Sequence, residues 1–307
     1  MISLADKTVL VTGAGGFIGE HLCRRLQNEG VKIHGVSRNK REAGSSGMTW
    51  WQGDLAELAF TRQMIEAVKP EYIFHLASHV VGHRELEAVQ PTFHANLHSA
   101  VNLLTAASEV GCKRIILAGS QEEPDVSQSS YAVPASPYAA AKWAASAYAR
   151  MCHTLYQTPV TIARVFMVYG PGQKDTKKLI PYTILSLLRG VPPRLTSGER
   201  PVDWIYVQDV VEGLLAIAQS ENINGQTVDL GTGSMVTVRE IVENIAELIK
   251  ANVQPQFGSV AKRPMEQVRM ANRIGTHNIT GWLARTSLKE GLEATIRWYH
   301  EHVDDYD

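Results

Sequence analysis

Long apolar runs are missing from this chain: none of its 307 residues falls in a stretch approaching 18 consecutive apolar positions. That excludes an ordinary membrane-spanning helix. Excess charge of either sign is missing too. Lys and Arg number 30, Asp and Glu 31, for a net charge of −1, so there is no basic footprint for nucleic acid or an anionic membrane. Cysteine is scarce. Cys23, Cys112 and Cys152 lie far apart and lack metal spacing or an even-numbered framework, so they read as reduced thiols of a cytoplasmic protein. The first residues show no charged region followed by an apolar stretch, which argues against secretion. His75, His79 and His83 are spaced by four, but His75 ends a strand pattern and Gly82 interrupts the rest, so no metal is expected. What remains is 44% apolar and 20% charged residues, the make-up of a globular protein with a large core.

The most informative stretch is Thr8–Gly19. A β-branched and apolar run, Thr8–Thr12, reads as a buried strand, and the pattern Ile18, Leu22, Leu26 reads as a helix. Between them stand Gly13, Gly16 and Gly19. In that context the first glycine makes the tight turn and the second lets backbone approach a pyrophosphate. The third lets helix pack on strand, with the helix N-terminus at Phe17 and Ile18 facing the phosphates. Spaced G-x-x-G-x-x-G, with Ile at 18, the triplet alone would fit any strand-to-helix turn; its flanks make it a dinucleotide site.

Strand patterns at Val31–Val36, Tyr72–Leu76, Arg114–Ala118 and Val160–Val168 alternate with helical ones at Asp54–Val68, Ala95–Glu109 and Tyr138–Leu155. Alternation of this kind predicts an α/β fold, a doubly wound parallel sheet of Rossmann type with a smaller C-terminal α/β lobe. The polar insert Asn39–Thr49 reads as a surface loop. After Tyr169-Gly-Pro-Gly172 the chain turns Pro-rich and basic. A helix at Asp209–Gln219 and a strand at Thr227–Leu230 read as a return to the sheet, and Val238–Ile249 as a lobe helix. The expected division is therefore 1–170 with 205–231 for the dinucleotide domain, and 171–204 with 232–307 for a substrate lobe over the carboxyl ends of the strands.

An acidic residue at the end of the second strand marks NAD sites. Here Gly35-Val-Ser-Arg38 places Ser37 and Arg38 at that point. Arg38, with Lys40 and Arg41 adding positive field, suits a 2′-phosphate through a charge-assisted bond of about 1.5–3 kcal/mol. NADP is therefore expected over NAD. Asp54 follows a third strand and is placed for the adenosine, or for capping the next helix.

Tyr138-Ala-Ala-Ala-Lys142 sets a phenol and an ammonium on one helix face. Catalysis near pH 7 by a tyrosine asks for its pKa to fall by about 3 units, or about 4 kcal/mol; Lys142 and a nicotinamide ring are the expected sources. Ser120 ends the preceding strand, where its hydroxyl can polarise the oxygen that Tyr138 protonates.

With these residues in view the chain resembles the extended short-chain dehydrogenases/reductases of the nucleotide-sugar epimerase/dehydratase group. The matching pieces are Thr12–Gly19, Gly53-Asp54-Leu55, His75-Leu76-Ala77-Ser78, Asn96, Asn102-Leu-Leu and Gly119-Ser120. Tyr138–Lys142, Val168-Tyr-Gly-Pro171, Asp203–Val207 with Asp209, and Arg263-Pro complete them. The resemblance implies cofactor contacts from Asp54, Leu55, Leu76, Ala77, Ser78, Asn96, Tyr138 and Lys142, and substrate contacts from Ser78. It also implies a homodimer through the helices near 95–110 and 138–155. His79, with His83 and Arg84, follows a strand's carboxyl end, and Gln121 opens a loop to Pro137 over the site; both positions suit substrate contact.

Three departures bear on chemistry. Met167 stands where the group has Asn, and Val202 where an Arg precedes the Asp of the 203–207 segment. Two contacts to a substrate diphosphate are thereby missing, and Arg200 and Arg263 are the candidates to replace them. Ser120-Gln121-Glu122 stands where sugar dehydratases have Thr-Asp-Glu; Gln121 offers no titratable proton, though Glu122 can act as a base. The expectation is an NADP-dependent reductase of a keto group on a nucleotide-activated deoxysugar. The alternatives are a nucleotide-sugar epimerase, such as a 4-epimerase, that retains NAD; a dehydratase; and a non-catalytic NADP sensor.

Overall fold

The structure is a computed structural model in which residues 4–41, 47–80, 84–125, 131–262 and 264–306 are described. Strands and helices alternate at first, except that β2 and β3 follow one another directly. β1 (Thr8–Thr12), α1 (Phe17–Gln27), β2 (Lys32–Ser37), β3 (Thr49–Gln52), α2 (Leu58–Val68) and β4 (Tyr72–His75) come in that order. A helical stretch follows as α3 (Val89–Thr92), a π-helical turn (Phe93–His98) and α4 (Ser99–Val110). β5 (Arg114–Ser120), α5 (Pro137–Tyr156) and β6 (Val160–Val165) close the first part. The remainder is β7 (Met167–Tyr169), α6 (Leu179–Leu188), β8 (Pro201–Val202), β9 (Trp204–Tyr206), α7 (Val207–Gln219), β10 (Thr227–Leu230), β11 (Val236–Thr237), α8 (Val238–Ile249), α9 (Arg273–Thr280) and α10 (Leu288–Glu301).

Seven strands form one parallel sheet in the order β10-β6-β5-β4-β1-β2-β3. The expected doubly wound sheet is thus present. Its order reverses between β1 and β4, where such sheets open a crevice at their carboxyl ends. Alternation within β1 divides the core: Val9 and Val11 point to one face, Leu10 to the other. The first face is covered by Leu22 and Leu26 of α1 and by Val210 and Leu214 of α7. Met64 of α2, Leu103 and Leu104 of α4, and Ala145 and Ala149 of α5 cover the second. A third core gathers Ile184, Ile241, Ile245, Leu292, Tyr299, Val202 and Trp204 from the later elements.

Several boundaries differ from the sequence reading, each for a local reason. The helix read from Asp54 starts at Leu58, because Asp54 Oδ1 takes the Ala56 N–H at 2.9 Å and holds a turn; Glu57, not Asp54, is the N-cap. The helix read from Ala95 begins at Val89, with Pro91 in the first turn, where its missing N–H costs nothing. The strand read as Val160–Val168 divides at Phe166, whose N–H goes to Leu230 O at 3.0 Å; β7 then pairs with β9. Helices α6, α9 and α10 carried no reading from sequence. Of the polar insert, Glu42–Ser46 lie outside the described residues.

Two buried carboxylates stitch the later segments to the sheet. Asp203 accepts from the N–H groups of Thr232, Gly233 and Ala271 at 2.8–3.1 Å. Asp209 accepts from Arg285 and Thr286 at 3.0 and 3.1 Å. Val202, in the position where the related pattern has Arg, is 3% exposed within the third core, a setting for an alkyl chain and not for a guanidinium.

At the end of β4, His75 is buried, with Nδ1 2.8 Å from Thr12 Oγ1. That hydroxyl accepts from Ala77 N–H at 3.1 Å, which frees its own proton for a neutral imidazole. Burial, helped by the charge of Lys142, lowers the His75 pKa to about 3. The unfolded chain therefore binds one more proton than the native state between pH 6.5 and about 3, and stability rises with pH across that window. Urea unfolding at successive pH values should show this slope in the wild type and a slope shallower by about one proton in His75→Gln.

Candidate active site

The crevice is built first by an absence of side chains. Gly13 has φ +70°, and a Cβ there would sit 2.7 Å from Ala77 N and 2.8 Å from the Leu76 carbonyl carbon. At Gly19 an added Cβ would stand 2.0 Å from Gly13 O. The turn is thereby pressed between α1 and the end of β4. Gly16 is the N-cap, so the first-turn N–H groups, including those of Phe17 and Ile18, face outward with no capping side chain. This cradle fits the pyrophosphate of a dinucleotide by the same donors and dipole that bind anions at helix starts.

At the adenosine end the structure redistributes the expected roles. Ser37 Oγ accepts from Asn39 N–H at 3.2 Å, and Ser37 O from Gly53 N–H at 3.0 Å. The Arg38 side chain is exposed, its carbonyl held by Gln52 at 3.4 Å. Arg41 is the basic group beside the turn. Its Nη2 lies 2.7 Å from where a Gly15 Cβ would be, and its guanidinium stands 5.6 Å from the Trp50 ring centroid. Only the net positive charge of this loop, not this placement, was legible in sequence. Asp54 is exposed, while Leu55 is buried, and Asn102 Nδ2 brackets their loop through Leu55 O and Ala56 O at 3.0 and 2.8 Å.

Beyond β4, Leu76 N–H donates to Thr12 O at 3.2 Å, so Leu76 and Ala77 line the rim against Gly13. Asn96 is 1% exposed, and its amide is engaged inside the protein: Oδ1 takes Ser78 Oγ–H at 3.1 Å and His79 N–H at 2.6 Å, while Nδ2 reaches His79 O at 3.2 Å. It therefore shapes the Ser78–His79 loop. Its place in the π-helical turn aims the amide at that loop, which a regular helical spacing does not anticipate. His83 lies outside the described residues.

Tyr138 and Lys142 sit at the start of α5, which Ser136 caps by accepting from Ala139 N–H at 3.1 Å, with Pro137 in the first turn. The phenol lies near enough to the hydroxyls of Ser120 and Ser78 for both to act on its pKa. Ser120 and Tyr138, paired in the sequence analysis, are thus joined by Ser78. Lys142 is 4% exposed; its Nζ donates to Ala118 O at 2.9 Å and stands 6.0 Å from the Tyr138 ring centroid.

In this arrangement burial raises the Tyr138 pKa, Glu122 and Glu123 add to the rise, and the Ser120 and Ser78 hydroxyls oppose it. The Lys142 ammonium donates to the Ala118 carbonyl. Burial in turn lowers Lys142 to about 8, with Glu123 holding it up.

The loop after β5 turns tightly on Ser120. Gln121 N–H donates to Val165 O at 3.1 Å, and Glu122 N–H to Ser120 Oγ at 3.1 Å. Glu123, which sequence reading left without a role, is buried with Oε1 on Ser120 N–H at 2.8 Å. Met167 is half-buried at the start of β7. Arg200 pairs with Glu266 at 2.8 Å while its buried Nε has no partner. Arg263 lies outside the described residues. Among the described residues there is no group of His, Cys, Asp and Glu able to hold a metal ion, nor any helix long and apolar enough to cross a membrane.

Comparison with known proteins places this geometry. The family profile of the NAD dependent epimerase/dehydratase family matches residues 9–231. A UDP-glucose 4-epimerase of Mycolicibacterium smegmatis is 29% identical over 94% of this chain and 97% of that protein. The human dTDP-D-glucose 4,6-dehydratase is 26% identical over 98% of this chain and 92% of its own. Among solved structures, MoeE5 in complex with UDP-glucose and NAD is 30% identical, with a TM-score of 0.83 over 96% of this chain and 99% of that one. With nearly three-quarters of its length matched from β1 to the end of β10, the chain is a member of the NAD-dependent epimerase/dehydratase family and an enzyme of the short-chain dehydrogenase/reductase type.

Proposed function

We propose that the protein is a nucleotide-sugar epimerase that inverts one carbinol carbon, of the 4-epimerase kind, with NAD kept in place through the cycle. The observation that carries this reading is that the Ser120 hydroxyl lies near enough to the Tyr138 phenol to act on its pKa, so that the two groups can serve a single substrate oxygen. Support comes from relatives that act as 4-epimerases on UDP-glucose and UDP-glucuronate and from MoeE5 with UDP-glucose and NAD.

In this reading Ser120 orients the sugar hydroxyl and Tyr138 exchanges its proton, first removing and then returning it. Lys142 binds the nicotinamide ribose. A bound nicotinamide dinucleotide supplies the hydride acceptor and donor and, when oxidised, a positive charge near the phenol. Gln121, neutral and beside Ser120, leaves elimination of water without a paired acid, which disfavours a dehydratase. Ser78, His79, Gln121 and Arg200, with Arg263, remain the candidates for the substrate side.

A second reading, the reductase, is favoured by Arg41 against the glycine turn with Arg38 nearby, since these guanidinium groups suit a 2′-phosphate. Nucleotide released from the purified protein separates the two: the epimerase yields stoichiometric NAD, whereas an empty protein that consumes NADPH with a keto-sugar nucleotide establishes the reductase. Arg41→Ser should weaken NADPH about tenfold or more relative to NADH if a 2′-phosphate is bound, and equal affinities would remove that reading. Tyr138→Phe should lower kcat by about 10²- to 10⁴-fold while nucleotide is retained; undiminished activity would overturn both.

A further inference from the structure

Two serine hydroxyls stand at matching places on the carboxyl edge of the sheet. β4 and β5 are neighbours, with His75 in register with Leu117, and Ser78 and Ser120 each lie three residues further along. Their hydrogen bonds inside the protein give them opposite polarity.

The partner of Ser78 is Asn96, buried in the π-helical turn. The His79 N–H, which can only donate, lies 2.6 Å from one end of the Asn96 amide. The His79 carbonyl, which can only accept, lies 3.2 Å from the other. These two contacts settle which end is oxygen, because turning the amide over would set N–H against NH2 and oxygen against oxygen. The Ser78 hydroxyl, 3.1 Å from that oxygen, must therefore supply the proton between them. Only its lone pairs remain for the cleft. Ser120 is the reverse case. Its Oγ accepts from Glu122 N–H at 3.1 Å, so its own proton is free to be given.

At a carbon being inverted through a ketone, the hydroxyl becomes a carbonyl, and a carbonyl oxygen has no proton to give. Ser120 can donate to that oxygen in both states, whereas the lone pairs of Ser78 would face it without a proton between them. We propose that Ser78 is a specificity-determining residue, accepting a hydrogen bond from a second sugar hydroxyl that stays a hydroxyl through the cycle, and that Asn96 is the positioning residue that fixes this polarity. This rests on the epimerase reading and narrows its substrate. A sugar deoxygenated or oxidised to a carbonyl or carboxylate at the carbon facing Ser78 offers no proton there, and an oxygen at that place is served only by breaking the Ser78–Asn96 bond.

The test has two arms. Calorimetric affinities for UDP-glucose and for its analogues lacking one hydroxyl each should single out an analogue that binds the wild type about tenfold more weakly than UDP-glucose but binds Ser78→Ala as well as UDP-glucose does. Asn96→Asp presents an oxygen to Ser78 in either protonation state and should keep the wild-type ratio. Ratios that Ser78→Ala leaves unchanged overturn the proposal, and a ratio lost in Asn96→Asp overturns the part given to Asn96. The second arm needs no substrate: neutron diffraction from deuterium-exchanged crystals should place the Ser78 deuteron on the line to Asn96 Oδ1, and a deuteron turned into the cleft overturns the assignment. A protein that binds none of these nucleotide sugars would sink the epimerase reading, and the neutron map would still decide the polarity of Ser78.

Discussion

Everything in this cleft depends on three backbones meeting with no side chain between them. Gly13 touches the Leu76–Ala77 peptide, and Gly19 rests on Gly13 O. One methyl group at either place would push α1 off β1 or β1 off the end of β4. Thr12 reinforces the joint by serving Ala77 N–H and His75 together. The glycine turn and the rim at Leu76 and Ala77 are therefore parts of one rigid piece set by packing.

The electrostatics follow from burial. Lys142, Tyr138 and His75 each lose solvent, and each shifts toward its neutral form. Catalysis by such groups depends on restoring selected charges. The Ser120 and Ser78 hydroxyls oppose the rise of the phenol, and Lys142 Nζ stands 6.0 Å from its ring centroid.

The parts legible in sequence were those written in local periodicity. The strand, turn and helix of 8–27, and the paired Tyr138 and Lys142, each follow from spacing alone. The family resemblance extended that legibility along the chain to Arg263-Pro. Less legible were features fixed by contacts distant in sequence. Arg41 reaches Gly15 from a loop 26 positions away, and Asn96 is aimed at Ser78 and His79 by a π-helical turn. The contact of Glu123 with the Ser120 backbone was not legible, because nothing local says that Gly119 leaves room for its carboxylate. Asp203 was visible as part of a pattern, yet its service to residues 232, 233 and 271 belongs to tertiary structure. The substrate side stays the least readable because its residues lie in short, irregular segments held by such long-range bonds.

The late return of β10 has a consequence for how the molecule is made. β6 ends at Val165, but its outer neighbour spans Thr227–Leu230. During synthesis the edge of β6 stays open while more than sixty residues emerge, among them α6 and the whole of α7. Pairing at such separation is slow and leaves a strand edge exposed to wrong partners in the interval. Arg114 offers a partial remedy. From the first position of β5 it reaches the carbonyls of Ile217 in the last turn of α7 and of Ser220 just past it, so the helix can be drawn to the sheet before the last strand docks.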